Sequence, residues 1–194
     1  MKGIIFIPDI SGFTNFVRNI DIDLGVCITR DLLSKIIENN SLRMELSEIE
    51  GDSILFYKLG KPIPLKYVLS SFKMMYDAFD AGYLQWKLKY NLQANLSLKL
   101  IVHYGNIAVY DIKGFKKLYG ETVIESHNLL KNGNGKTDYI LVTEDYLKAL
   151  HQELSNEQLY NRGYTSFRSH LTTDVKKIPY YFFSSKQKPR LLLC

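Results

Sequence analysis

Apolar residues along this chain come in short blocks, and their spacing switches between the period of a strand and that of a helix. Residues 2–8, KGIIFIP, form an apolar run closed by Pro8 and Asp9, which predicts a buried strand. Ser11 stands where it would cap a short helix through Phe16 and Val17. From about Leu24 to Asn39 the residues Cys27, Ile28, Leu32, Leu33, Ile36 and Ile37 recur three and four positions apart, one face of a second helix. Leu42, Met44, Leu46 and Ile49 then alternate with polar residues, with one slip, and SILFY resumes after Gly51 and Asp52. Two antiparallel strands joined by a tight Glu-Gly-Asp turn follow from that pattern.

Pro62 and Pro64 punctuate a loop before a long helix whose apolar stripe is Val68, Leu69, Phe72, Met75, Tyr76 and Phe79, a core face. LSLKLIVHYG and NIAVYDI read as a further strand pair with Gly105 at the turn, and GFKKLYG as a loop leading to a helix over Thr122–Lys131. The cluster NGNGK at 132–136 breaks that helix as a loop. A strand YILVT, a helix beginning at Glu144 and a C-terminal apolar strand IPYYFFSS complete the chain, with Tyr180, Tyr181, Phe182 and Phe183 filling the sheet. The order strand, helix, strand, strand, helix, strand is that of an α+β fold with a ferredoxin-like split βαβ core (βαββαβ), here with C-terminal additions.

Length and composition narrow the class. With 194 residues, 46% of them hydrophobic, the chain suffices for one sizeable core, so residues 1–194 are expected to form a single domain. No apolar run approaches the roughly 18 residues that span a bilayer, and the opening segment lacks a signal-peptide cleavage site. These features predict a cytoplasmic protein with no membrane partner. Cys27 and Cys194 are the only cysteines, which excludes a disulfide framework. The net charge of +5 is spread along the chain, at Lys116 and Lys117, at Lys176 and Lys177 and in the tail at 186–190. It suits solubility or a small anionic ligand, and without a matching motif no nucleic-acid partner is expected.

Candidate chemistry sits at Asp9 and Asp52. In a split βαβ arrangement the first and third strands are neighbours, so a residue ending the first lies near a residue in the hairpin that leads into the third. Two carboxylates brought that close raise each other's pKa unless a cation lies between them. Mg²⁺ or Mn²⁺ takes carboxylate oxygens together with substrate phosphates, and a pair of such ions serves phosphoryl chemistry. Ser11, Gly12, Phe13 and Thr14 follow at once and open a helix, with amides free to meet phosphate oxygens and, at Gly12, no Cβ to obstruct them. Taken alone, the same residues serve equally well as a helix cap and a turn.

Phe6-Ile7-Pro8-Asp9-Ile10-Ser11-Gly12-Phe13-Thr14 resembles the first metal-binding motif of the class III adenylyl and guanylyl cyclases, aromatic-x-x-Asp-Ile-x-Gly-Phe-Thr. Glu48-Ile49-Glu50-Gly51-Asp52 is similar to their second metal motif, Lys99 to Gly105 to the basic-x-Gly-Ile-His-x-Gly strand, and Tyr119-Gly120-Glu121-Thr122-Val123 to the opening of the following helix. The four occur in family order across residues 6 to 131. The resemblance implies a cyclase-homology domain that binds a nucleoside triphosphate with two divalent metals, Mg²⁺ or Mn²⁺, in a homodimer with the site at the interface. It places metal on Asp9, Asp52 and the Ile10 carbonyl, phosphates on Ser11 to Thr14, and the base-selecting positions at Glu48 and Lys117. The product would be a 3′,5′-cyclic nucleotide and pyrophosphate.

Two departures from the family pattern bear on turnover. The helix positions that carry a transition-state Asn and Arg in the family hold Ile124 and Asn128, and neither supplies a cation. Loss of such an Arg in phosphoryl transfer costs on the order of 10³-fold in rate. The alternative is therefore a cyclase-homology domain that binds nucleotide or pairs with itself without cyclising. Lys117, His127 and Lys131 are the cations nearest in sequence. His103 has no His or Cys partner at metal-ligand spacing and reads as a packed, hydrogen-bonded imidazole, and Ser11 has no His–Asp arrangement that would make it a hydrolase nucleophile.

Overall fold

The computed structural model describes residues 1–131, 139–151, 164–173 and 176–185. The NGNGK loop expected at 132–136, the basic tail at 186–190 and Cys194 lie outside the described residues. In chain order the elements are β1 (Lys2–Ser11), α1 (Phe13–Arg18), α2 (Ile22–Glu38), β2 (Glu45–Glu50), β3 (Ser53–Leu59), α3 (Leu65–Tyr90), β4 (Ser97–Asn106), β5 (Ala108–Ile112), β6 (Phe115–Tyr119), α4 (Glu121–Lys131), β7 (Ile140–Thr143), α5 (Glu144–Ala149), β8 (Tyr164–Thr172) and β9 (Lys177–Ser185).

A seven-stranded sheet runs β2-β3-β1-β4-β7-β9-β8. Its first four strands are antiparallel neighbours, β1 lying between β3 and β4, which is the expected split βαβ core. β7 joins β4 in parallel through the α4 crossover, and β9 and β8 extend the sheet by antiparallel pairing. The sheet is covered on both sides around β1, which explains its nearly unbroken apolar run. Ile4, Phe6, Ile10, Leu98, Leu100 and Val102 pack with Ile28, Leu32 and Ile36 of α2 and Val68, Phe72, Met75 and Phe79 of α3. Ile5, Ile7, Leu55, Ile101 and Leu141 form the second face with Leu129 of α4. Among the described residues no helix is long and apolar enough to cross a membrane.

Four expectations are corrected. β1 runs on to Ser11 because Asp9, Ile10 and Ser11 keep cross-strand partners in Lys99, Leu98 and Ser97. Ser11 therefore does not cap α1; Gly12 does, with φ 87 and no side-chain bond. Residues 115–119 are strand β6, not loop: Lys113 and Gly114, at φ 54 and 84, make a two-residue turn with both φ values positive, the geometry that closes a hairpin on β5. β5 accordingly pairs with β6 and not with β4, and Gly105 lies inside β4, where a Cβ would come within 2.4 Å of Thr122 Oγ1. β8 carries no strong apolar alternation and was not expected as a strand; it forms because β9 offers it a full antiparallel ladder. The slip in the alternation near Leu46 is a register shift between Leu46 and Glu48 against β3.

Candidate active site

Asp9 and Asp52 meet at one end of the sheet. Strand alternation puts Asp9 on the face of Ile5 and Ile7, while Ile10 turns inward to the α2–α3 core. Asp9 is directly opposite Ser53 on β3, and the Ile10 amide donates to the Asp52 carbonyl at 3.1 Å, so the Gly51–Asp52 turn is tied to β1 by main chain. Gly51, at φ 58, supplies the left-handed residue of that turn. Asp9 is 6% exposed. Burial raises its carboxyl above the usual value although Lys99 opposes the shift. Burial and then the charge of Asp9 push the Asp52 carboxyl up to about 6.

Lys99 is the residue sequence reasoning missed here. It faces Asp9 across the β1–β4 ladder, and its Nζ lies 2.8 Å from Asp9 Oδ2. Ninety positions separate the two, so only the register reveals the pair. Asp9 is thus paired from within the protein, whereas Asp52 feels the Lys99 charge only as a lesser influence that burial and Asp9 outweigh. Among the described residues no three His, Cys, Asp or Glu side chains converge on a point suited to a metal ion. The fit to a divalent cation rests instead on two close carboxylates, only one of them in an ion pair, and on the buried Ser11 hydroxyl two residues from Asp9, which has no hydrogen-bond partner among the described residues. Mg²⁺ and Mn²⁺ complete their shells with phosphate and water oxygens, so a site of two carboxylates fits them.

Ser11, Gly12, Phe13 and Thr14 wrap the end of β1 into α1. Phe13 and Thr14 carry first-turn amides with no helical carbonyl to bond. The glycine at position 12 has a different reason from the one expected: a Cβ there would lie 2.4 Å from the Asn95 carbonyl oxygen, facing into the protein, and its φ of 87 disfavours any L side chain.

Glu48 and Lys117, 69 positions apart, are brought together: Lys117 Nζ donates to Glu48 Oε2 at 2.7 Å. Glu48 holds the Lys117 ammonium pKa above its usual value. His127 of α4 lies 3.7 Å from the other Glu48 oxygen and 4.0 Å from Glu50. Ile124 is 64% exposed on the same helix, an apolar side chain facing solvent. The ribbon β5–β6 puts Tyr110, Lys117, Ile112, Phe115 and Tyr119 on one face by its pairing, and its four apolar members are all exposed.

His103 is the buried, hydrogen-bonded imidazole expected. Its Nδ1 is 2.8 Å from Thr143 Oγ1 and its Nε2 is 2.7 Å from Glu125 Oε2. Burial works against the Glu125 carboxylate, but bonds from His103 and Lys176 outweigh it and hold the pKa below the usual value. Above this network lies a cleft of about 600 Å³, lined by Lys2, Gly105, Glu121 and Lys148 among others, at the opposite end of β1 from Asp9.

The structure is similar to solved cyclases along nearly its whole length. The adenylyl cyclase CyaB from P. aeruginosa superposes with TM-score 0.71 at 12% identity, covering 96% of this chain and 95% of that one. The guanylyl cyclase Cya2 gives 0.69 at 12% identity, over 98% and 95% of the two chains. The guanylate cyclase domain of RhGC from Catenaria anguillulae, solved in complex with GTP, gives 0.58 at 13% identity, over 96% and 97%. The fold is therefore that of adenylyl and guanylyl cyclase catalytic domains. No curated protein matches the sequence. The family model described as "Protein of unknown function (DUF2652)" matches residues 29–139, more than half of the chain, and the chain belongs to that family.

Proposed function

We propose that residues 1–194 form one cyclase-homology domain that binds a nucleoside triphosphate with Mg²⁺ or Mn²⁺ at the Asp9–Asp52 edge, as a homodimer in the cytoplasm. The observation that carries this reading is the Asp52 carboxyl beside Asp9, raised to about 6 by burial and by Asp9 against a weaker opposing charge from Lys99. A pair held in that state is stabilised by a divalent ion and destabilised without one. When bound, two such ions stabilise charge on the attacking and leaving oxygens of a phosphoryl transfer. The chain's own groups divide the remaining work. Asp9, Asp52 and the Ile10 carbonyl hold the cations, and the Ser11 to Thr14 segment meets the phosphates. Glu48 and Lys117 stand at the base position. The ion pair they make means that a purine must replace each partner's bond with one of its own.

The exposed apolar face of the β5–β6 ribbon, which surrounds Lys117, supports pairing with a second copy, since a patch of this kind is unusual on a monomer's surface. Ile124 and Asn128 favour a second reading, in which the bound nucleotide is held but not cyclised: neither side chain carries positive charge to the transferring phosphoryl group. Purified protein incubated with each triphosphate and Mn²⁺, with products read by mass spectrometry, separates the two. A cyclic product lost in Asp9→Ala and Asp52→Ala establishes turnover. Calorimetric binding of nucleotide and Mn²⁺ without product establishes the binding reading, and equal, negligible binding by wild type and both variants rejects the site.

A further inference from the structure

A row of polar side chains crosses three strands at the Asp9 end of the sheet, and one member has no partner among the described residues. Asp9 of β1 is opposite Lys99 of β4. β4 and β7 run parallel with Leu100 beside Ile140, and the Leu100 amide donates to the Tyr139 carbonyl at 2.9 Å, so Tyr139 stands next to Lys99 on the far side from Asp9. Tyr139 packs on the same sheet face as Ile7 and Ile101, with its ring centroid 4.7 Å from that of Phe182. It is 3% exposed, and its hydroxyl makes no hydrogen bond among the described residues. Native structures leave few buried hydroxyls unsatisfied, and each such group signals a missing partner.

Lys99 is the moving part in this row. Its ammonium sits on Asp9 Oδ2, and a divalent cation cannot share that oxygen with it at 2.8 Å without strong repulsion. Loading the site therefore requires Lys99 to leave Asp9. Its side chain is only 19% exposed, so most of its course stays within the protein. We propose that Tyr139 is a positioning residue that receives the Lys99 ammonium when a cation takes Asp9, its hydroxyl oxygen accepting the bond that Asp9 gives up. Burial, then the charges of Asp9 and Tyr180, push the Tyr139 phenol up to about 12, so the hydroxyl stays neutral and able to accept throughout the working pH range. The unsatisfied hydroxyl burdens the empty protein and is relieved on loading, so it adds to cation affinity without touching the cation.

This inference rests on the reading that Asp9 and Asp52 bind a divalent ion, and a double-mutant cycle separates the two. Mn²⁺ alone is titrated into wild type, Tyr139→Phe, Lys99→Met and the double variant, with free Mn²⁺ read by electron paramagnetic resonance and folding checked by thermal melts. Tyr139→Phe is expected to melt no lower than wild type, because no internal bond is lost, while binding Mn²⁺ about tenfold more weakly, the worth of one hydrogen bond to a charged group. Lys99→Met is expected to bind more tightly than wild type, and Tyr139→Phe to have no effect in that background. A wild type that binds no Mn²⁺ overturns the site itself and this inference with it. Binding by wild type that Tyr139→Phe leaves unchanged overturns the inference alone, as does an equal loss with and without Lys99, which would mean that the hydroxyl acts on the ligand directly.

Discussion

Replacing Asp52 by Asn should make the empty protein more stable, although it removes a residue of the candidate site. The Asp52 carboxyl titrates at about 6 in the fold against 3.8 when unperturbed, a rise of about two units, because burial and then Asp9 disfavour its charge. At about 1.4 kcal/mol per unit the upper bound is near 3 kcal/mol. Asp52 is partly exposed, and screening by solvent roughly halves that, to about 1.5 kcal/mol. The sign follows from proton binding. Between about 3.8 and 6 the folded state holds a proton that the unfolded chain has released, so this group's contribution is complete below the lower value and is lost as pH rises through the upper one. Asp52→Asn should therefore raise Tm by about 3–6 °C near pH 7.5 for a chain of this size, and leave it within about 1 °C near pH 4. Circular dichroism melts at the two pH values give the comparison. Added Mn²⁺ should raise the wild-type Tm and not that of the variant. A variant that melts lower near neutral pH, or a gap that does not shrink in acid, would refute the electrostatic account of this site.

Gly12→Ala should cost more than about 2 kcal/mol in chemical denaturation, since it combines a left-handed backbone with a Cβ driven onto the Asn95 carbonyl; a loss under about 0.5 kcal/mol would mean that the turn relaxes freely. Glu125→Gln should cost about 2 kcal/mol near pH 7 through the weakened bonds to His103 and Lys176. Because the Glu125 pKa lies below the usual 4.5, that contribution is present above 4.5 and lost as pH falls through the lower folded value, so wild type and variant should converge in acid; parallel denaturation curves at every pH would contradict it. If the proposed homodimer forms through the β5–β6 ribbon, Phe115→Glu, at a 70% exposed position, should leave the fold intact and shift the protein to monomer in sedimentation velocity. An unaltered dimer would move the interface elsewhere.

Much of this architecture is local in origin and so could be read along the chain. The three- and four-residue spacing that forecasts α2 places Ile28, Leu32 and Ile36 in the core, and the stripe that forecasts α3 does the same for Val68, Phe72, Met75 and Phe79. The Glu-Gly-Asp turn before β3 was legible because Gly51 is one of few residues at ease at its φ of 58. Strand β6 was not, because FKKLY carries two adjacent lysines that mask its alternation; the missed signal was Lys113-Gly114, a two-residue hairpin turn. Ser11 was misread as a cap because its own residue type favours one, whereas its partner in β4 holds it in the strand.

What the sequence determined by itself is therefore most of the elements, β6 and β8 apart, together with the two carboxylates and the absence of cationic side chains at positions 124 and 128, all properties of residue type and short-range spacing. The tertiary structure alone decided which of those side chains face one another. Lys99 lies on Asp9 only through the β1–β4 register, Tyr139 beside Lys99 only through the parallel β4–β7 pairing, and Lys117 on Glu48 only where β6 and β2 converge. Register is set by burying both faces of a sheet at once, and a slip of one residue would turn every side chain of a strand to the other face. That constraint acts between strands tens of residues apart, so no window along the chain contains it.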